Sequence, residues 1–124
     1  MGPKTILVVD DESHMLDTIQ FILQSNGYLT VTARGGEEAL ERLVGLRAQG
    51  RRIDLILTDI QMPGPTGLEL IELFREAGEQ APVLVMTGYN DRETTRRLRE
   101  RGIEHFLDKP FEEEELLRRI RELA

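Results

Sequence analysis

The sequence predicts an α/β protein: one doubly wound parallel sheet of five strands, covered by five helices, forming a single domain over residues 1–124. Three observations carry this. Five apolar runs alternate with five stretches of helical patterning, and no repeat or linker interrupts them. The first and third runs are apolar at successive positions, as strands covered on both faces are. Each run also ends in polar residues for which a packed core has no use.

In chain order, the runs are Thr5–Val9 into Asp10-Asp11, Leu29–Thr32 into Ala33-Arg34-Gly35-Gly36, Ile53–Thr58 into Asp59, Pro82–Met86 into Thr87-Gly88, and Glu104–Asp108 into Lys109-Pro110. A first helix is expected over 13–25, with Ser13 as its N-cap and Asn26-Gly27 as its stop. Met15, Leu16, Ile19, Ile22 and Leu23 make its core face. The second follows Gly35-Gly36 to about Leu46, with Ala39, Leu40, Leu43 and Val44 inward. The third starts near Thr66-Gly67 and offers Leu68, Leu70, Ile71, Leu73 and Phe74. Asn90-Asp91-Arg92-Glu93 reads as a capping box for the fourth, which is rich in arginine and nearly devoid of apolar residues. The fifth runs from about Glu112 and buries Leu116, Leu117, Ile120 and Leu123. Its leading glutamates and trailing arginines match the helix dipole, which accounts for that charge run.

Composition bounds the function. A chain of 124 residues with 40% hydrophobic and 31% charged content describes one globular domain. The net charge of −7 argues against nucleic-acid binding by this domain. The absence of cysteine removes disulfides, thiolate metal sites and cysteine catalysis, and fits a cytoplasmic location. No charged-then-apolar leader and no apolar run of about 18 residues is present, so neither secretion nor membrane spanning is expected. Of the 16 basic residues only Lys4 and Lys109 are lysine, so lysine at the end of the fifth run stands out against an arginine background.

Parallel strands deliver their C-terminal residues to one sheet edge, where α/β proteins bind ligands. Asp10, Asp11, Asp59, Thr87 and Lys109 would meet there. Carboxylates at about 4 Å repel by about 4 kcal/mol at an effective dielectric near 20, so a cation must offset them. Hard oxygen donors with no nearby histidine or cysteine point to Mg²⁺, usually in the service of a phosphate. Asp59, at the end of a central strand, is the candidate nucleophile for an acyl phosphate. Lys109 and Thr87 would contact the phosphoryl oxygens by charge and by hydrogen bond.

These residues carry a family resemblance. Ile6-Leu7-Val8-Val9-Asp10-Asp11-Glu12, Asp59-Ile60-Gln61-Met62-Pro63 with Gly67, Val85-Met86-Thr87-Gly88 and Phe106-Leu107-Asp108-Lys109-Pro110-Phe111 resemble the receiver domain of two-component response regulators almost end to end. The resemblance implies the CheY-like, flavodoxin-like sheet order 2-1-3-4-5. It implies that Asp59 is the phosphoacceptor and that Asp10, Asp11, Asp59 and the Gln61 carbonyl hold Mg²⁺. Thr87 becomes the switch hydroxyl, Lys109 the phosphoryl-pairing lysine, Phe106 the aromatic switch residue and Lys109-Pro110 a cis bond. The expected partners are a sensor histidine kinase or histidine phosphotransfer protein, and a downstream partner or output domain. The chain ends with its fifth helix, which fits a stand-alone receiver or one excised from a longer protein.

Departures from the family pattern carry expectations too. Phe106 replaces the usual tyrosine, so any signal there is ring packing without a phenolic hydrogen bond. Thr95 and Arg97 stand where the family has small apolar residues, which argues against its usual dimer through the fourth helix and leaves a monomer or a weak phosphorylation-dependent dimer. Gln61 and Tyr89 occupy positions that in the family tune hydrolysis of the acyl phosphate. His14 is read as a helix-surface residue and His105 as an alternate-facing strand residue. On a helical wheel His14, Asp17, Thr18 and Phe21 point away from the core of the first helix. The resemblance places kinase docking there, on His14, Thr18 and Phe21.

One enzymatic alternative stays open at this point, a Mg²⁺-dependent phosphohydrolase with an aspartate nucleophile. That class usually carries a second acid two residues after the nucleophile, and here the position is Gln61. A degenerate receiver is disfavoured by the intact acidic, hydroxyl and lysine set. A flavin site is disfavoured because Asp10-Asp11-Glu12 would repel its phosphate.

Overall fold

A computed structural model describes residues 2–60, 67–88 and 91–124. Gln61, Tyr89 and Asn90, each given a role above, lie outside the described residues. Strands β1 (Thr5–Val9), β2 (Leu29–Ala33), β3 (Leu55–Asp59), β4 (Val83–Thr87) and β5 (Phe106–Asp108) alternate with helices α1 (Ser13–Ser25), α2 (Gly36–Ala48), α3 (Gly67–Glu76), α4 (Arg92–Glu100) and α5 (Glu113–Leu123). The strands form one parallel sheet in the order β2-β1-β3-β4-β5.

Alternation along the strands divides the core between the two faces. Ile6 and Val8 of β1 join Leu55 and Leu57 of β3 against Leu16, Ile19 and Leu23 of α1 and Leu116, Leu117 and Ile120 of α5. Leu7 and Val9 point the other way, to Ala39, Leu43 and Leu46 of α2, Ile71 and Phe74 of α3 and Leu98 of α4. Every residue of β1 and β4 is buried, as are all of β3 but Asp59, so the central strands sit between two helical layers.

The winding reverses between β1 and β3, which are neighbours although β2 intervenes in sequence. Connections leaving those two strands diverge, and a crevice opens at their carboxyl ends. Val9 lies opposite Thr58 in the ladder, so the next residues, Asp10 and Asp59, flank that crevice.

Several local expectations are corrected. Ser13 is the first residue of α1, and Glu12 occupies the cap position without a side-chain cap bond. The Glu12 N–H is held by Asp10 Oδ1 at 3.0 Å, a bond that fixes the entry into α1 from the preceding strand end. Val44 is 67% exposed rather than inward, because Ala39, Leu43 and Leu46 set the buried stripe and Val44 is one step around the helix from it. Leu73 of α3 is exposed for the same reason, between buried Leu70 and Phe74. Leu123 is half-buried against the core. Asp91 holds the cap position of α4 without a side-chain cap bond, its carboxylate accepting the Gly88 N–H at 2.6 Å, and Glu93 pairs with Arg96 and Arg97; the Asn90 end of the expected capping box lies outside the described residues. His105 is half-buried and precedes β5, with its carbonyl accepting the Val85 N–H at 3.0 Å.

Candidate functional site

The sheet edge gathers the predicted polar set. Asp10 follows β1 and is almost wholly buried, whereas Asp11 is exposed at the mouth. Asp59 ends β3 with its side chain 13% exposed, and its Oδ1 accepts the Ile60 N–H at 2.8 Å. Lys109 reaches across from the end of β5, where its own N–H is held by the Thr87 carbonyl at 2.7 Å. Its Nζ lies 3.3 Å from Asp10 Oδ2 and 3.4 Å from Asp59 Oδ1. One ammonium therefore serves two carboxylates. The Lys109-Pro110 peptide bond is cis.

Carboxylate oxygens of Asp10, Asp11 and Asp59 all lie within 4.8 Å of one another, and no other trio of acids or histidines among the described residues comes so close. Burial pushes the Asp59 carboxyl above its ordinary range, the charge of Asp10 adds to that, and the opposing pull of Lys109 is not enough to reverse it. For Lys109, burial opposes the charged form, but the fields of Asp59 and Asp10 outweigh it and raise the ammonium. Three carboxylates share this edge with one ammonium, so its negative charge exceeds what Lys109 neutralises. Three oxygen donors with surplus charge and no nitrogen or sulfur ligand fit a hard divalent cation such as Mg²⁺.

Thr87 is buried at the end of β4. It faces Asp108 directly in the β4–β5 register, and its Oγ1 donates to Asp108 Oδ1 at 2.9 Å. The resemblance had assigned Thr87 a role, but nothing in the reading of the chain singled out Asp108. The signal that finds it is the strand register. Behind this pair a cavity of about 610 Å³ is lined by Thr87, Arg92, Arg99, Asp108 and Lys109, among others.

Phe106 is half-buried, and the Arg99 guanidinium sits over its ring, 5.0 Å from the centroid. Arg119 of α5 donates to the Phe106 carbonyl at 2.7 Å, so α4, β5 and α5 meet around this residue. Neither arginine had a signal in the sequence. Pro110 and His14 are exposed, as is Thr18, and none of the three belongs to the acidic cluster. Phe21 is 73% exposed on the same outward face of α1, with no core contact to fill. No helix among the described residues is long and apolar enough to cross a membrane.

Similarity to known proteins agrees with this geometry. The family profile for the response regulator receiver domain matches residues 6–121. The transcriptional regulatory protein DltR of Streptococcus agalactiae is 36% identical over 117 residues, covering 94% of this chain and 50% of that protein. The response regulator MprA of a Mycobacterium species is 35% identical over 121 residues, covering 98% of this chain and 50% of that protein. The chain thus spans about half the length of the curated relatives it matches. Among solved structures, the Vibrio cholerae chemotaxis protein CheY4 superposes with a TM-score of 0.87 at 30% identity, over 99% of this chain and 100% of that one. A Clostridium thermocellum receiver domain gives 0.86 at 28% identity, over 97% and 93%. These matches give the phosphohydrolase alternative no support. With its sheet order, its edge of acids around a lysine and the family profile in agreement, the chain belongs to the receiver domains of two-component response regulators, a family of signalling switches that work with histidine kinases and output domains.

Proposed function

We propose that Asp59 accepts a phosphoryl group from the phosphohistidine of a sensor histidine kinase or histidine phosphotransfer protein. The observation that carries this reading is Lys109 Nζ held between Asp10 and Asp59 at 3.3 and 3.4 Å. An Asp59 carboxylate oxygen attacks phosphorus, the P–O bond forms as the P–N bond to the donor imidazole breaks, and the imidazole leaves with the bonding pair. Asp10, Asp11 and Asp59 would hold the Mg²⁺, with the Gln61 carbonyl as a further ligand, and the cation supplies charge neutralisation for the transferring oxygens. Lys109 then turns from two carboxylates to the phosphoryl oxygens. Thr87 and Phe106 relay the change to the face formed by α4, β5 and α5, by shifting a pre-existing equilibrium.

In this reading the domain is a switch that catalyses only its own phosphorylation and slow dephosphorylation. It is cytoplasmic, a monomer or weak phosphorylation-dependent dimer, and it binds neither nucleic acid nor membrane itself. Residues 1–124 form one phosphoacceptor domain, with the kinase docking on His14, Thr18 and Phe21. The downstream partner or output domain reads the α4–β5–α5 face. Incubation with acetyl phosphate and Mg²⁺ should add one phosphoryl group by intact-mass spectrometry. Equal labelling of an Asp59→Asn variant would defeat the assignment.

A further inference from the structure

Strand β4 lies between β3 and β5, so Thr87 has an acidic neighbour on each side. Asp59 pairs in register with Met86, one residue before Thr87, while Asp108 stands directly opposite Thr87 on the other flank. The Thr87 hydroxyl has one proton to donate. An ionised carboxylate and a phosphoryl oxygen both only accept. The proton can therefore go to Asp108 or toward Asp59, but not to both. It goes to Asp108, at 2.9 Å.

We propose that Asp108 is a positioning residue that latches Thr87 in the resting state, so that phosphorylation must break this bond before the hydroxyl can serve the acyl phosphate. The inference rests on the reading of Thr87 as the switch hydroxyl. Thr87 and Asp108 both line the cavity of about 610 Å³ that opens beside the pair. A threonine side chain moves between discrete rotamers, so the two hydrogen bonds mark two states and not a continuum. Asp108 is exposed and belongs to neither core cluster, so its removal leaves the packing intact.

A bond present only in the resting state holds the population there by its own worth. Removing it raises the apparent affinity for whatever binds the active state. A net hydrogen bond of ordinary strength corresponds to about fivefold in that affinity.

Beryllofluoride with Mg²⁺, titrated by calorimetry into the whole chain, reads this directly as an acyl phosphate mimic. Asp108→Ala should bind about fivefold more tightly than wild type, and Thr87→Ala more weakly than wild type. In the Thr87→Ala background, Asp108→Ala should change nothing, because the latch has no hydroxyl to hold. Asp108→Asn loses the charge but keeps an accepting oxygen, and should stay within about twofold of wild type. A gain in Asp108→Asn as large as in Asp108→Ala would mean simple relief of charge repulsion and overturn the latch. So would an unchanged affinity in Asp108→Ala, or a gain that survives in the double variant. Wild-type affinity in Thr87→Ala alone would instead remove the switch reading of Thr87, and the latch with it.

Discussion

Lys109 Nζ lies 3.4 Å from Asp59 Oδ1, yet the Asp59 carboxyl is held above, not below, its ordinary range. The ion pair alone would lower it. Burial and the charge of Asp10 win, and Lys109 is itself shared with Asp10 at 3.3 Å. Asp59 is thus an acid that the fold tolerates in its ionised form and does not favour.

That imbalance predicts a stability gain on neutralising Asp59. A carboxyl raised in the folded state contributes stability below its unfolded value of 3.8 and loses it as pH rises through the folded value. At neutral pH the ionised group therefore works against the fold. Asp59→Asn keeps the shape and an oxygen for the Ile60 N–H, and should raise Tm by several °C, as expected for about 1 kcal/mol in a domain of this size. Thermal melts at pH 7 without divalent cations check it; a lower Tm contradicts it.

Mg²⁺ should stabilise the wild type by binding only the folded acid cluster. A hundredfold excess over Kd gives about 2.7 kcal/mol. Tm should climb with Mg²⁺ concentration and fall back on adding EDTA. Asp10→Asn, which removes a carboxylate from the set within 4.8 Å, should abolish most of the dependence. A Tm indifferent to Mg²⁺ in wild type would contradict the donor-set argument.

Lys109 has the same sign of pH dependence but in the alkaline range, so at neutral pH its charged form still supports the fold. Its ammonium is raised above the ordinary 10.5 because Asp59 and Asp10 outweigh burial. Its contribution is complete below 10.5 and is lost as pH climbs through the folded value. Lys109→Met should therefore cost about 1–3 kcal/mol at pH 7, where it leaves two carboxylates short of a partner. Urea melts of the two proteins should converge above the folded value; a constant gap across that range would contradict the linkage.

Phe21 should matter to the kinase and to nothing else. At 73% exposure it fills no core, and burying such a ring in an interface is worth roughly 1.5–3 kcal/mol. Phe21→Ala should slow phosphotransfer from the cognate kinase about tenfold, with labelling by acetyl phosphate unchanged. Equal slowing by both routes would make Phe21 a folding residue.

The site was legible because each strand announces its end. Asp10, Asp59, Thr87 and Lys109 stand one step beyond, or at the close of, an apolar run, and a parallel sheet brings such ends together. The strand order came only from the resemblance, since alternation of elements does not say where the winding reverses. What escaped depends on register and rotation. Asp108 meets Thr87 only because those two residues lie opposite in the ladder. Arg99 reaches Phe106 only because Leu98 is the buried anchor of α4, which turns its neighbour toward β5. Ser13 looked like a cap, but the helix starts one residue earlier than that reading, with Ser13 already helical and Glu12 at the cap position.

The most direct test of the central claim is chemical trapping at the acceptor. Borohydride reduces an acyl phosphate to the alcohol, so treating the phosphorylated chain and sequencing its peptides should find homoserine at position 59 and at no other aspartate. The signal should require Mg²⁺ and vanish in Asp59→Asn. Homoserine at Asp10, Asp11 or Asp108 instead, or phosphate retained on a serine, threonine or histidine, would contradict the account.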